Sequence, residues 1–464
     1  MKTLLFAVFT LICFALSPSA IALLPPPAPD GDYPGSNTAE GINALHDVNT
    51  AVGINNTAVG ASALAHDTTG YSNVAVGAFA LTNNTTGNFN MAIGTEALRN
   101  NNANFNLAIG FRVGYLNTTG NHLTGIGAAA LRNNTTGGFN TAIGADAMRE
   151  NTIADQNTAI GADALSSNTI GSSNTAIGSG ALSSNVSGDQ NTAVGGVGCC
   201  GAALFSNTIG RFNTALGGGA LSSNTNGNDN TAVGAGALNN NVHGSENAAV
   251  GLNALVNATG SNNVALGSNA GNQAVGSDNV YIGYNMQGSP GESNACYIKS
   301  IFGQTASVGS AVFIDANGKL GTVTSSKRFK EDIKPMAKRS EALFSLKPVT
   351  FRYKKEIDPA GLQQFGLVAE DVETVNPDLV VRDQHGKVNS VRYEEINAML
   401  LNEFLKEHKT VQEQGATMMQ QRKDFEAAIA QQQKKLDALN AALQKVSAQL
   451  ELNKSAPQTV LNNQ

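Results

Sequence analysis

The chain has few cysteines, and their spacing excludes a fold stapled by a disulfide framework. Its 464 residues contain four: Cys13 in the N-terminal apolar run, the adjacent pair Cys199 and Cys200, and the distant Cys296. Neighbouring cysteines rarely bridge each other without strain. We therefore expect free, buried thiols, with one long-range bond to Cys296 as the alternative.

Charged side chains are also scarce, at 14% of the chain, and they are unevenly placed. Eight lysines and arginines precede Ser325 and 21 follow from it onward, against 16 and 19 acidic residues, so the two parts carry about −8 and +2. Of 50 glycines, 46 precede Ser325. Neither part is basic enough to predict a nucleic-acid partner, and the change in composition predicts a boundary near Ser325.

No stretch beyond the N-terminus is long and apolar enough to span a bilayer as a helix. Residues 1–22 contain one lysine, an apolar run and the small-residue end Ala20-Ile21-Ala22. This pattern predicts a secretory signal peptide that is cleaved after Ala22. Bulky Ile12 before Cys13 argues against a lipoprotein, so we expect an exported protein that is soluble or surface-associated.

A short phrase, Asn-x-Ala-(Val/Ile/Leu)-Gly, recurs from Asn49 to Gly283. Its leading asparagine returns every 17 residues at Asn140, Asn157, Asn174 and Asn191, and every 16 residues near the end of the repeat. The step from Asn191 to Asn213 is 22 residues, and its five extra residues bring in the cysteine pair as an inserted loop.

Units this short cannot bury their own apolar side chains, so they must stack as coils of a parallel β-solenoid. We expect the small aliphatic residues of "TAIG" and the Ala-Leu of "ADAL" to fill a thin interior. Gly and Asn suit corners with positive φ, and stacked Asn can form ladders. Some fourteen coils at about 4.8 Å each give a rod on the order of 65 Å, thin enough that several chains should associate.

Other motifs in the repeat have ordinary structural explanations. "GVGCCG" (Gly196 to Gly201) matches a dinucleotide fingerprint, but no long helix and no suitable acidic residue follow it, which favours a solenoid corner. The four histidines lack metal-ligand spacing and are expected at the surface: His46, His66, His122 and His243. We expect neither a cofactor nor a metal site.

Beyond the repeat, alternating apolar residues predict a hairpin around Asn317-Gly318, followed by a small α/β unit from Ser325 to Tyr393. After Tyr393 the chain predicts one long helix with apolar residues at alternating steps of three and four. This spacing favours a coiled coil, with an antiparallel hairpin within one chain as the alternative. The seam positions are Leu401, Phe404, His408, Val411, Gly415, Met418, Arg422, Phe425, Ile429, Gln432, Leu436, Leu439, Leu443, Val446 and Leu450.

Two families resemble parts of this sequence. The phrase "NTAVGAGAL" resembles the head repeats of YadA-like trimeric autotransporter adhesins, which implies a left-handed parallel β-roll that trimerises. "SSKRFKEDI", "LKPVTFRYK", "FGLVAEDV", "NPDLVV" and "VRYEEINAMLLNEFLKE" occur in the order found in endosialidase-type intramolecular chaperones. Those are self-cleaving C-terminal domains of phage tail spikes and fibres.

The second resemblance implies catalytic residues. Ser325 matches the family's nucleophile, Lys330 its general base and Arg328 its motif arginine, so the scissile bond would be Thr324-Ser325. Ser326 stands where the family has aspartate. A serine needs a base within hydrogen-bond reach, and a lysine serves as one only when desolvated or beside other cations. Other interpretations remain: an N-cap followed by solvated charges, an uncleaved chaperone domain, or Ser326 as the nucleophile.

The expected protein is a homotrimeric, adhesin-like surface fibre that self-cleaves and uses its repeat to bind a glycan or a host or cell surface. A permanent uncleaved stalk is one alternative. A polysaccharide depolymerase is another, although the repeat has few acids and no obvious carboxylate pair. The predicted divisions are a signal peptide (1–22), a Pro-rich linker (23–48), mainly-β roll repeats (49–284), a hairpin connector (285–324), an α/β chaperone domain (325–397), a coiled coil (398–452) and a disordered tail (453–464).

Overall fold

A computed structural model describes residues 34–49, 51–198, 200–302 and 309–453. The predicted signal peptide, residues 23–33 of the Pro-rich linker, Cys13, Cys199 and nearly all of the predicted tail lie outside the described residues. The chain divides into two compact units, Met1–Thr305 and Ala306–Gln464.

The first unit is a parallel β-solenoid in which each coil adds one three-residue strand to a single sheet. Sixteen strands pair in sequence order, which confirms the predicted solenoid and gives about fifteen turns spaced ~4.8 Å apart. The sheet has one strand before the predicted repeat range and one after it. The strands are β1 Thr38–Glu40, β2 Thr57–Val59, β3 Val74–Val76, β4 Met91–Ile93, β5 Leu107–Ile109, β6 Thr124–Ile126, β7 Thr141–Ile143, β8 Thr158–Ile160, β9 Thr175–Ile177, β10 Thr192–Val194, β11 Thr214–Leu216, β12 Thr231–Val233, β13 Ala248–Val250, β14 Val264–Leu266, β15 Val280–Ile282 and β16 Cys296–Ile298.

Within each strand, the central residue faces the core and its two neighbours face outward, because successive side chains point to opposite faces. In β8, Ala159 is completely buried, whereas Ile160 keeps 37% of its surface exposed. The prediction that "TAIG" fills the interior is therefore right for its alanine and wrong for its larger aliphatic residue. The sheet consequently has an outward column of Val, Ile and Leu side chains.

The Ala-Leu pairs of the turn segments close the other side of the core. Leu165 is fully buried and has a φ of 51°. This left-handed conformation costs a non-glycine residue about 1–2 kcal/mol, and burial of a leucine side chain returns ~2 kcal/mol. Positive φ was predicted for Gly and Asn, and the glycine column fulfils it: Gly144 has a φ of 140°, and a Cβ there would lie 2.4 Å from the carbonyl oxygen of Gly161. Some asparagines also adopt positive φ, among them Asn253 at 53° and Asn262 at 60°, but the asparagine that leads each unit does not.

Two internal asparagine ladders connect the coils. In the first, the Asn157 backbone N–H donates to Asn140 Oδ1 at 2.9 Å, and Asn157 Nδ2 donates to the Gly171 carbonyl at 3.0 Å. In the second, Asn168 Nδ2 donates to Asn151 Oδ1 at 3.1 Å and to the same Gly171 carbonyl at 2.8 Å. The ladder prediction is confirmed, and the second column adds another. Each buried amide left without its partner would cost about 1–3 kcal/mol.

Asp67 takes the first position of the second ladder, where other coils have asparagine. Because its carboxyl group is buried, we expect the stability of the first coils to depend on pH. It is fully buried and accepts hydrogen bonds from Asn84 Nδ2 at 2.8 Å and Asn56 Nδ2 at 3.3 Å. Burial raises its pKa to about 7. The unfolded carboxyl loses its proton near pH 3.9, so the folded state is favoured most below that pH and loses stability as the pH rises through 7.

Asp67→Asn would supply the amide that other coils use and should remove this loss, which is up to ~4 kcal/mol at 1.36 kcal/mol per pKa unit. The measurement is hydrogen-exchange protection of residues 56–90 at pH 5 and pH 8, corrected for the intrinsic exchange rate. Asp163→Asn, which neutralises an exposed carboxylate on a later coil, is the control. Equal wild-type protection at both pH values would contradict the prediction.

The inserted residues leave the ladder register intact. Across the longer step, the Asn213 backbone N–H still donates to Asn191 Oδ1 at 3.0 Å. Gly198 and Gly201 form an antiparallel bridge within the insertion, so the five residues form a loop, as predicted. Cys200 and Cys296 are both exposed, which makes the expectation of buried thiols wrong for these two.

Among its described residues, the second unit contains three two-stranded antiparallel sheets and two α-helices. A 3₁₀ segment, Ala337–Ser345, packs with the two helices and the last of these sheets around a small apolar core. The hairpin and the small α/β unit are therefore present as predicted. The elements are β17 Val312–Ile314, β18 Leu320–Thr322, β19 Val349–Phe351, β20 Gln364–Gly366, α1 Ala369–Val375, β21 Val380–Arg382, β22 Val388–Val391 and α2 Tyr393–Leu452. The buried core residues are Val372, Leu379, Val380, Val391, Ile396 and Met399.

Helix α2 runs unbroken for 60 residues. Gly415 and Arg422 lie inside it, so the alternative of an antiparallel hairpin within one chain is wrong. Its predicted seam residues are largely exposed in the single chain. Among the described helices, none combines the length and the apolar character needed to cross a membrane.

Candidate active site

One tight turn brings two residues of the predicted site together. β18 ends at Thr322, the chain stays extended at Ser326, and a single 3₁₀ turn follows at Lys327–Phe329. The Phe329 N–H donates to the Ser326 carbonyl at 3.0 Å, and the Lys330 N–H donates to the Lys327 carbonyl at 3.1 Å. The turn therefore directs the chain back toward Ser325.

The turn places the Lys330 side chain against Ser325. Lys330 Nζ donates a hydrogen bond to Ser325 Oγ at 3.0 Å. A nucleophile and its general base must lie about 2.6–3.2 Å apart, so the distance suits proton transfer from the hydroxyl to a neutral amine. Both side chains are exposed in the single chain.

The neighbouring residues of the motif have other contacts. Ser326 stands at the N-cap position of the turn but makes no capping hydrogen bond with its side chain. The Arg328 guanidinium lies over the Phe329 ring, 4.5 Å from its centroid. Thr324, the residue before the predicted scissile bond, is exposed. The structure thus brings Ser325 and Lys330 together and leaves Ser326 and Arg328 outside that hydrogen bond.

A polar cluster attaches the following segment to α2. Ser340, which is buried, accepts a hydrogen bond from Asn402 Nδ2 at 2.6 Å and donates one to Glu403. Lys406 Nζ lies 2.7 Å from Glu403, and hydrogen bonds from Lys406 and then Ser340 hold the pKa of Glu403 below its usual range. Nothing in the sequence pattern identified this cluster, because its partners lie some sixty residues apart. It connects the chain just after the turn to the long helix.

The segment that begins at Ser325 matches a known protein family. Residues 325–381 match the family model described as chaperone of endosialidase. This segment is therefore similar to endosialidase-type chaperone domains. The match begins at Ser325 and extends into β21. No curated protein and no solved structure matches the chain.

The histidines of the repeat lie at the surface, as expected. His122 stacks between Phe105 and Phe139, with ring centroids 5.1 and 4.7 Å away. Within the described part of the chain, no group of His, Cys, Asp and Glu side chains has the geometry of a metal site.

Proposed function

We propose that this chain is an exported, homotrimeric fibre or adhesin-like protein whose C-terminal domain assembles the trimer and then cleaves itself off at Thr324-Ser325. The observation that carries the proposal is the 3.0 Å contact between Lys330 Nζ and Ser325 Oγ. It occurs at the first residue of the segment that matches a self-cleaving chaperone family.

The proposed chemistry needs only these two side chains and water. Neutral Lys330 takes the hydroxyl proton as Ser325 Oγ attacks the Thr324 carbonyl carbon. The C–N bond then breaks, the proton passes to the leaving amine, and Thr324 remains joined to Oγ as an ester. Water hydrolyses the ester, which frees the Thr324 carboxylate and restores the hydroxyl of a new N-terminal serine.

Assembly would supply the desolvation of Lys330 that the single chain lacks. Lys330 is open to solvent, and desolvation is one way to favour a neutral amine. The segment that carries the site also has exposed apolar side chains, among them Val323, Phe329 and Ile333. Packing them against neighbouring chains would exclude water from the site, so cleavage would follow correct assembly.

Three exposed apolar surfaces support a trimer. The first is the outward aliphatic column of the solenoid sheet, which extends from Val59 to Ile298. The second is the face of the β17–β18 hairpin that carries Val312, Ile314 and Leu320. The third is the seam of α2. The left-handed roll and the three-stranded coiled coil belong to this proposal.

The segment from Ser325 to the end of α2, here called the C-terminal clamp, would set the register in which the solenoids of three chains associate. Neighbouring coils have nearly identical outward columns, so chains could pair one or more coils out of register at little energetic cost. The heptad seam of α2 and the Ser340 cluster would align three chains before their solenoids associate. Once the solenoids are packed in register, the clamp can leave without loss of the fibre.

The test is intact mass under denaturing conditions, measured on the purified wild-type trimer. Two fragments that meet between Thr324 and Ser325 support the proposal. One full-length chain in a confirmed, folded trimer would instead establish the permanent stalked fibre. Release of soluble products from polysaccharide would be required for the depolymerase.

A further inference from the structure

Arginine is concentrated on one part of the solenoid. Of the five arginines before Ser325, four fall on four consecutive coils and only Arg211 lies elsewhere. Backbone hydrogen bonds between coils, such as Leu116 N–H to the Arg132 carbonyl at 3.0 Å, put three of them and Tyr115 at equivalent positions, one per coil. These positions lie in turn segments rather than on strands. The cluster therefore leaves free the strand face proposed for the trimer.

Aromatic rings alternate with the guanidinium groups. Arg99 Cζ lies 5.5 Å from the centroid of the Phe79 ring and 5.7 Å from that of Tyr115. Arg112 Cζ lies 5.6 Å from the centroid of the Tyr115 ring and 4.8 Å from that of Phe111. Phe79 and Phe111 remain substantially exposed. We call this set, with Glu96 and Arg132, the arginine–aromatic patch.

A single acidic side chain holds two of the arginines in place. Glu96 Oε1 accepts a hydrogen bond from Arg99 Nη1 at 2.9 Å, and Glu96 Oε2 accepts one from Arg112 Nε at 2.5 Å. Arg99 Nη1 also donates to the Tyr115 hydroxyl at 3.0 Å. The patch is thus preorganised, which reduces the entropy lost when it binds a ligand.

Charge and donors remain for a ligand. The patch has three arginines and Glu96, and Arg132 also interacts electrostatically with Glu150. Within the described residues, neither the two Arg112 Nη atoms nor the Arg132 guanidinium makes a hydrogen bond. Arg99 Nε also has no acceptor among the described residues, but it is buried and therefore closed to a ligand at the surface. The fourth arginine, Arg149, is already paired with Glu150 at 2.9 Å and Asp146 at 3.5 Å. The open donors belong to a guanidinium fork that fits carboxylate and sulfate oxygens.

We propose that the arginine–aromatic patch binds an acidic polysaccharide. Arg112 and Arg132 bind its carboxylate or sulfate groups, and the Phe111 and Phe79 rings pack against the apolar C–H faces of its sugar rings. The proposal deepens the adhesive role proposed above and rests on the solenoid, not on cleavage.

Charge density favours a saccharide over a nucleic acid. The part of the chain before Ser325 carries about −8 and repels a polyanion with a phosphate at every nucleotide. The small number of guanidinium groups that remain open, those of Arg112 and Arg132, suits a polymer with widely spaced acidic groups.

The experiment measures binding of fluorescent hyaluronate and dextran sulfate to the full-length protein, with neutral dextran as the reference. We expect R112Q/R132Q to weaken binding of at least one acidic probe by tenfold or more. The control R211Q/K299Q removes the same number of charges from the same unit, outside the patch, and should change affinity less than twofold. F111A should also weaken binding about tenfold although it changes no charge.

Four results would overturn the proposal: equal binding of neutral and acidic polymers, equal losses in the two double variants, no effect of F111A, or tighter binding of a single-stranded oligonucleotide. Circular dichroism and sedimentation establish that each variant folds and assembles as the wild type does. The same preparations are scored for cleavage. A variant that loses binding but still cleaves bears only on the patch. A preparation that binds but does not cleave contradicts only the proposed self-cleavage.

Discussion

Replacing Ser325 with alanine is expected to leave the Thr324-Ser325 bond intact in a fully assembled trimer. The substitution removes the oxygen that attacks the Thr324 carbonyl in the proposed mechanism, while the exposed position makes a loss of folding stability small. Intact mass should show one chain where the wild type shows two fragments. Ser326→Ala is the matched control: its side chain makes no capping hydrogen bond, and the variant should cleave like the wild type.

Lys330→Arg tests the base separately from the positive charge. Arginine can donate a hydrogen bond to Ser325 as lysine does, but its guanidinium does not deprotonate in proteins. Cleavage should therefore slow by about 10²–10⁴-fold, the usual contribution of a general base. The rate is followed by quantifying the two fragments over time. Wild-type cleavage in Lys330→Arg would assign the lysine a structural role, and cleavage in Ser325→Ala would assign the nucleophile elsewhere.

The sequence predicted much of the fold because both units depend on short-range periodicity. The constant asparagine step predicted the solenoid and its ladder, and the 22-residue step predicted the loop, since stacked coils tolerate an insertion only at their surface. The apolar seam predicted α2. Turn chemistry at Asn317-Gly318 predicted the β17–β18 hairpin, whose strands pair as expected.

The errors arose where two physical effects compete. Alternation in a strand requires one of Ala159 and Ile160 to face outward, and composition alone does not say which. The thin core accepts the methyl group and excludes the larger side chain. Left-handed φ at Leu165 contradicts local preference and is sustained only because burial of the side chain offsets its cost.

The candidate sites differ in how much of each could be predicted from the sequence. Ser325 and Lys330 are five residues apart, so a local turn suffices to join them, and the motif carried that information. The Ser340 cluster and the arginine–aromatic patch join residues from different coils or helices. Their sequence positions give no signal until the register of the fold is known.

Aspartate on the helix seam should abolish both the trimer and cleavage. Leu436→Asp/Leu443→Asp changes two exposed seam positions of α2. If each leucine contributes ~2 kcal/mol when buried, six of them stabilise a trimer by ~12 kcal/mol, and buried carboxylates add a further penalty. Sedimentation at micromolar concentration should therefore show monomers.

Ala427→Asp/Ala441→Asp is the matched control, because it adds the same charge on the helix face away from the seam. It should remain trimeric and should cleave. Sedimentation and cleavage are therefore measured on the same variant. A monomer that stays uncut supports a site completed by assembly, since Ser325 and Lys330 are unchanged. A monomer that cleaves at the wild-type rate would show that one chain is sufficient, and the coupling of cleavage to assembly would then have to be abandoned while the Ser325–Lys330 chemistry stands.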